Sequence, residues 1–313
     1  MSQPQYLTGQ REALQEFLSK YDIFLFDCDG VLWSGDHLFD GTVATLEFLR
    51  ASGKRVVFVT NNSTKSRKDY CKKLEGMGIP ATEEEVFGSS YSAAIYISRI
   101  LPQRHPELKS KPKVFVIGES GIEQELDSEN VPHIGGTDSS LRRLGINPED
   151  YTKIAAGDPS VLDPEVGVVL TGLDFHFNYI KMCLAYHYIK RGAIFLATNI
   201  DSTLPSAGAL FAGAGTMAAP LTMMLGGTEP VALGKPSQAM MDAIEGKFKF
   251  DRSRTCMVGD RANTDIKFGL EGKLGGTLGV LTGVGTKEEF TEGDTRPHFY
   301  VDRLSDLLAA KEA

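Results

Sequence analysis

Residues 24–33 read Phe-Leu-Phe-Asp-Cys-Asp-Gly-Val-Leu-Trp: an apolar strand running straight into Asp27-Cys28-Asp29-Gly30. Two carboxylates two residues apart at the end of a buried strand cost several kcal/mol each to desolvate, of order 2–5, unless a cation or a chemical task holds them. Open α/β sheets keep their active sites at such strand ends. The same grammar recurs along the chain. Strands are predicted at 22–27, 54–60, 86–88, 113–117, 166–171, 193–198, 255–259, 277–281 and 298–301. Helices are predicted over 10–20, up to Ala51, Ser66–Gly76, Ser92–Leu101, 121–127, 177–190 and 264–271. Strand–helix alternation of this kind specifies parallel sheet, an α/β fold.

At 313 residues the chain is long for one hydrophobic core, which favours two domains or one domain with a large insertion. Residues 102–112, polar and proline-rich, read as a domain junction. The net charge of −8 and the lack of a long basic run argue against non-specific nucleic-acid binding. Four scattered cysteines without a CxxC pattern read as free thiols of a reducing compartment. The charged N-terminal stretch lacks the apolar centre of a signal peptide, so a cytoplasmic location is expected. Residues 202–228 carry no charged residue or histidine, but two prolines and five glycines make them poor material for a membrane helix. They read instead as tightly packed loops, and no membrane association is expected.

Four polar clusters sit where strands end or helices begin: Asp27-x-Asp29, Thr60-Asn61-Asn62-Ser63, Gly234-Lys235-Pro236, and Gly259-Asp260 with Asp265 five residues on. Any one of them is unremarkable as a turn. Together they offer hard oxygen ligands for Mg²⁺, an anion cradle of hydroxyl, amide and lysine, and a carboxylate nucleophile. Pro236 suits the first turn of a helix, where Lys235 would add to the positive end of the dipole.

DCDGVLW, VTNNS, GKP and GDRANTD resemble the four motifs of the haloacid dehalogenase superfamily, and more closely its p-nitrophenylphosphatase/phosphoglycolate phosphatase branch. The resemblance runs from about residue 15 to the C-terminus. It implies a Rossmann-like, doubly wound core built from residues 1–102 and 230–313, with an α/β cap at 103–229. It implies that Asp27 is the nucleophile of an aspartyl-phosphate and that Asp29 is general acid, then base. Lys235 would neutralise the transferring group. The phosphate-facing set would comprise Cys28, Thr60, Asn61, Asn62 and Lys235. Mg²⁺ would be held by Asp27, the Asp29 carbonyl and Asp260, with Asp265 orienting Lys235 or a metal-bound water. Carboxylates on either side should raise the Cys28 thiol, which argues against a nucleophilic role for it.

Thirty-three residues separate Asp27 from Thr60 and 175 separate Thr60 from Lys235, so the insertion follows the second cluster. In the resembling family a loop of the cap selects substrate, and the matching segment here is 197–208. Relatives acting on pyridoxal phosphate carry a histidine in that loop. Leu204 stands at the corresponding place and implies a small, non-aromatic substrate such as 2-phosphoglycolate, with glycerol 3-phosphate and pyridoxal phosphate as alternatives. Such an enzyme would serve metabolite repair. Caps of this family often pair, so a homodimer through the cap is a further expectation.

Competing classes lack support. Gly213-x-Gly215-x-x-Ala218 matches a dinucleotide fingerprint, but no strand is predicted to run directly into it. Gly118-Glu-Ser-Gly121 is one residue short of a nucleophile elbow. The six histidines show no metal-ligand spacing. A catalytically silent relative of the fold would not have every catalytic position filled.

Overall fold

Near-continuous apolar runs build both sheets, as expected for parallel strands buried on two faces. The computed structural model describes residues 3–142, 145–206 and 209–311. The chain divides into two compact units, Met1–Thr60 with Cys71–Phe87 and Lys235–Ala313, and Asn61–Tyr70 with Gly88–Gly234.

The first unit holds a seven-stranded sheet. Its strands lie in the order Gln5–Tyr6, Phe299–Val301, Gly276–Val280, Thr255–Gly259, Ile23–Phe26, Arg55–Thr60 and Val86–Gly88. Pairings from the first of these through Arg55–Thr60 are parallel. Phe24, Leu25 and Phe26 are completely buried, and Phe24 sits in register between Cys256 and Val56. From Ile23–Phe26 the chain steps outward to one side through Arg55–Thr60, then later fills the other side through Thr255–Gly259. That reversal of winding opens a crevice beyond the carboxyl ends of the strands. Asp27, Thr60 and Asp260 stand at the ends of three adjacent strands there.

The second unit carries a five-stranded parallel sheet in the order Val231–Ala232, Ile194–Ala197, Val166–Thr171, Lys113–Ile117 and His133–Gly135. Phe115, Ile117, Val169, Leu184, Phe195 and Leu221 form its core. The fold is α/β with parallel sheets in both units, and most elements lie within a few residues of their predicted positions. Strands Lys113–Ile117 and Val166–Thr171 match to the residue.

Five local expectations differ from what is found. The uncharged stretch is not a set of loops: Thr203–Ser206 and Ala209–Ala212 form an antiparallel hairpin, and Gly215–Met224 is a helix. Its Ala218 and Leu221 are buried, and that packing overrides Pro220 inside the helix. A strand therefore does lead toward Gly213, contrary to expectation, but it belongs to an antiparallel hairpin with exposed residues rather than a parallel βαβ unit. The helix Pro148–Ala156 was not foreseen. The helix predicted from Ser92 begins at Ser89. It falls in the second unit, although the junction was expected near residue 103. The reason is its bonding: Ser89 Oγ donates to the Asn61 carbonyl at 2.7 Å, while Ser98 and Arg99 bond Glu129. Residues 207–208 of the predicted specificity loop lie outside the described residues. Among the described residues no helix is long and apolar enough to cross a membrane.

Candidate active site

The Asp27 N–H donates to the Val258 carbonyl at 2.9 Å, extending the sheet by one residue so that Asp27 leaves it beside Gly259-Asp260. The chain then turns on the Cys28 carbonyl, which accepts from Val31, Leu32 and Trp33 at 3.3, 2.8 and 3.4 Å. Gly30 is required at the bend: its φ is +90°, and a Cβ there would fall 2.5 Å from Asp260 Oδ2.

Lys235 is almost wholly buried (2%) and spends its ammonium on three acceptors. Nζ donates to Asp27 Oδ1 at 2.6 Å, Asp265 Oδ1 at 2.7 Å and the Val59 carbonyl at 2.9 Å. It does not sit in a helix. Pro236 precedes the helix Gln238–Phe248, whose first turn is capped by Ser237 Oγ accepting from the Met240 N–H. The lysine is thus held by carboxylates rather than added to a helix dipole. Asp265 lies in a wide turn, Ala262–Ile266, in which the Ile266 N–H reaches back to the Arg261 carbonyl. The turn returns Asp265 to Lys235 and lets its Oδ2 accept from the Arg261 N–H at 3.1 Å. Only a glycine fits opposite, because a Cβ on Gly259 would come within 2.1 Å of the Asp265 Cβ.

Asp260 is held from the other side by Leu281–Gly285. The Val284 N–H donates to Oδ2 at 2.7 Å, and the Gly285 N–H to the Asp260 carbonyl at 2.9 Å. Thr282 Oγ1 binds the Gly30 carbonyl at 2.6 Å. Oδ1 of Asp260 is buried with no hydrogen-bond partner. Carboxylate oxygens of Asp27, Asp260 and Asp265 lie within 4.8 Å of one another. Burial drives Asp27 well above the ordinary carboxylate range against the pull of Lys235, and Asp265 and Asp260 add to the rise. Burial, then Asp265, pushes Asp260 up to about 7. Burial alone would lower the Lys235 ammonium, but Asp265 and Asp27 outweigh it and hold it above the usual lysine value. Three crowded carboxylates facing one ammonium, with an orphaned oxygen among them, fit a divalent cation.

Asp29 is different in kind, being 42% exposed. Its Oδ1 accepts the Trp33 indole N–H at 2.8 Å and lies 3.9 Å from Lys73 Nζ. Thr60 closes its strand almost fully buried. Cys28 is completely buried, so its thiol does not face a phosphate. Burial first, then Asp27 and Asp29, raises that thiol well above its usual value.

The family profile described as haloacid dehalogenase-like hydrolase matches residues 24–132, and a second, HAD-hydrolase-like, matches 232–307. The 4-nitrophenylphosphatase of Schizosaccharomyces pombe is 47% identical over 296 residues, covering 94% of this chain and 95% of its own. The chain belongs to the haloacid dehalogenase-like hydrolases. Chloroplastic phosphoglycolate phosphatase 1A of Arabidopsis thaliana is 42% identical, with 98% of this chain and 82% of that one covered. Glycerol-3-phosphate phosphatase of Gallus gallus is 37% identical, covering 96% and 95%. Among solved structures, a Mycobacterium tuberculosis glycerol phosphate phosphatase in complex with magnesium superimposes with a TM-score of 0.75 at 27% identity, covering 93% of this chain and 77% of that one.

The protein is therefore a haloacid dehalogenase-type phosphatase, an enzyme hydrolysing phosphomonoesters of small molecules, and phosphatases of this family use a divalent metal. Its structure brings together Asp27, Lys235, Asp260 and Asp265 in the first unit. Asn61, Asn62 and Leu204 belong to the second. There Asn61 Nδ2 donates to Asp201 Oδ2 at 3.0 Å, and Asn62 Oδ1 accepts from the Thr64 N–H and hydroxyl. Leu204 is half-buried on the hairpin, opposite Phe211.

Sequence reasoning missed Trp33, Lys73 and the Thr282-Gly283-Val284 loop. The loop has no motif beyond Gly283 and the Gly285 that follows it, and only its place after Gly276–Val280 could have marked it. It also missed the grouping of His176 with Glu119 and Asp174 in the second unit. Lys181 already pairs with Asp174 at 2.6 Å and Arg142 with Glu119 at 3.4 Å, so those carboxylates are compensated by the protein itself.

Proposed function

We propose that this chain is a Mg²⁺-dependent phosphatase of small phosphorylated acids and alcohols, with 2-phosphoglycolate as its principal substrate, working through an aspartyl-phosphate. The observation that carries the reading is the buried group of Asp27, Lys235 and Asp260, with its unpartnered Asp260 Oδ1.

In this mechanism a carboxylate oxygen of Asp27 attacks phosphorus, and the P–O bond to the ester oxygen breaks. The leaving alkoxide takes a proton from the Asp29 carboxyl. Asp29, now a carboxylate, removes a proton from water as the water oxygen attacks the phosphorus bound to Asp27. The acyl phosphate bond breaks, releasing inorganic phosphate and restoring both side chains. Lys235 holds Asp27 in position and opposes the rise that burial imposes on its carboxyl, and Asp265 holds Lys235. Thr60 with the Asn61 amide receives the phosphoryl oxygens, and the Asn62 turn shapes that loop. Asp27, Asp260 and the Asp29 carbonyl would hold Mg²⁺. When bound, the ion supplies charge neutralisation for the incoming phosphate and for the nucleophile.

The second unit takes the part of the cap, and its loop from residue 197 selects the substrate. Leu204 supports a small substrate, since an aliphatic side chain offers no polar partner to an aromatic cofactor ring. That none of Cys28, Cys71, Cys183 and Cys256 forms a disulfide supports a cytoplasmic location. The exposed Phe175, Leu210, Phe211 and Met223 support a homodimer through the second unit.

Phosphate release with Mg²⁺ from 2-phosphoglycolate, glycerol 3-phosphate and pyridoxal phosphate tests the substrate. A kcat/KM at least about tenfold higher for phosphoglycolate, roughly 1.4 kcal/mol of discrimination, is the expected result. Preference for pyridoxal phosphate would overturn the reading of Leu204 and leave the chemistry at Asp27 untouched.

A further inference from the structure

We infer that Trp33 is a positioning residue for Asp29: its indole N–H occupies Oδ1, so the proton given to the leaving oxygen is carried on Oδ2. The inference deepens the reading of Asp29 as acid and base and rests on it.

An indole nitrogen can only donate. At 2.8 Å it makes Oδ1 an acceptor whether Asp29 is protonated or not, and a carboxyl proton placed there would confront the N–H. The proton therefore belongs on Oδ2. Trp33 is itself packed on all sides. It is completely buried, its carbonyl accepts the Gly30 N–H at 2.7 Å, and it forms an isolated bridge with Asp29. The five residues from Asp29 to Trp33 thus close on themselves, with an exposed carboxyl at one end and a fixed donor at the other.

Lys73 completes the arrangement. Its Nζ lies 4.4 Å from the Trp33 ring centroid and 3.9 Å from Asp29 Oδ1. The ammonium rests on the aromatic face and stands beside the carboxylate whose two oxygens share the negative charge once the proton has gone. Asp29 alone, short and 42% exposed, would sample several staggered rotamers. Pinning one oxygen leaves the other a single direction in which to give and take a proton. Acid–base groups contribute about 10²–10⁴ in rate only when so aimed.

The test is Trp33→Phe, which keeps a ring under Lys73 and deletes the N–H. kcat/KM is measured at saturating Mg²⁺ for glycerol 3-phosphate, whose alkoxide must be protonated to leave, and for 4-nitrophenyl phosphate, whose aryloxide leaves unprotonated. The expected result is a loss of about 10- to 100-fold for the alkyl ester and less than about threefold for the aryl ester. Equal losses on both, or none on either, would overturn the inference, since a merely structural tryptophan does not distinguish leaving groups. Wild-type enzyme inert towards both esters would instead overturn the acid–base reading beneath it. Should the variant fail to fold, the emission of the wild-type chain gives a second measurement, because Trp33 is its one tryptophan. Asp29→Ala must then shift that emission, and an unchanged spectrum would refute the bond.

Discussion

Replacing Asp260 by asparagine is expected to stabilise the metal-free protein while abolishing its response to Mg²⁺. Asp260 is pushed up to about 7, first by burial and then by Asp265. Against an unfolded value of about 3.9, and at about 1.4 kcal/mol per pH unit, its ionised form costs the folded state about 4 kcal/mol. Asparagine removes that cost. It weakens the bond from the Val284 N–H to Oδ2, now made to a neutral acceptor, by roughly 1 kcal/mol. The net gain is about 2–3 kcal/mol, or roughly 5–10 °C in Tm for a chain of this size.

The pH dependence gives the sign. Between about 3.9 and 7 the folded wild type holds a proton that the unfolded chain has lost, so its stability falls as pH rises through that window. The variant lacks this slope, and its advantage is complete above pH 7 and shrinks as the pH is lowered toward 4. Scanning calorimetry in chelator at pH 5 and pH 8 measures it. Added Mg²⁺ at about 100 times its dissociation constant should stabilise wild type by about 2.7 kcal/mol and the variant by none of this. A variant that melts lower than wild type in chelator at pH 8, yet still responds to Mg²⁺, would refute the account of Asp260 as a cation ligand held at a cost.

Three further substitutions probe other parts of the reading. Asp27→Asn should abolish release of phosphate from every ester, and near-normal turnover would remove Asp27 from the nucleophile's role. Leu204→His should raise kcat/KM for pyridoxal phosphate relative to 2-phosphoglycolate by about tenfold, with an unchanged ratio placing specificity elsewhere. Gly283→Ala puts a Cβ 2.0 Å from Asp260 Oδ2, so the carboxylate must move. The Mg²⁺-induced rise in Tm should be lost in that variant although its circular dichroism stays native.

The strands and the four polar clusters were legible because each rests on local chemistry: an apolar run, then residues that are costly to bury without a task. The elements that escaped did so for two physical reasons. Pro148–Ala156 carries readable signals in the reciprocal Asn147 and Asp150 cap and in Gly157 at φ +70°, but only one of its residues, Ile154, is buried. A pattern of apolar residues gives no strong period over such a helix. In the stretch 202–228 the prolines and glycines argued for loops, and tertiary burial of Ala218 and Leu221 decided for a helix. The site shows the same division. Asp27 and Asp260 announce themselves at strand ends, whereas Trp33 looks like core and Lys73 like a surface lysine until the fold sets them beside Asp29.

In the proposed mechanism charge balance sets the order of binding. Asp27, Asp260 and Asp265 crowd together, and the ammonium of Lys235, bonded to Asp27 and Asp265, leaves the group a net −2 when all are ionised. A phosphomonoester dianion brings two more negative charges. At about 4 Å and an effective dielectric near 20, each like-charge pair costs about 4 kcal/mol. Without a cation, either the ester is excluded or the carboxylates take up protons, and a protonated Asp27 is no nucleophile. Protonation at Asp27 and Asp260 is already favoured by burial. In the proposed mechanism a divalent cation would cancel the excess, so it is expected to be in place before the phosphate arrives. Chelation should then abolish equilibrium binding of inorganic phosphate, measured by calorimetry, as well as turnover. Phosphate bound with equal affinity in chelator and in Mg²⁺ would show that the anion is held by Thr60, Asn61 and Lys235 alone, and that the carboxylates do not set the order.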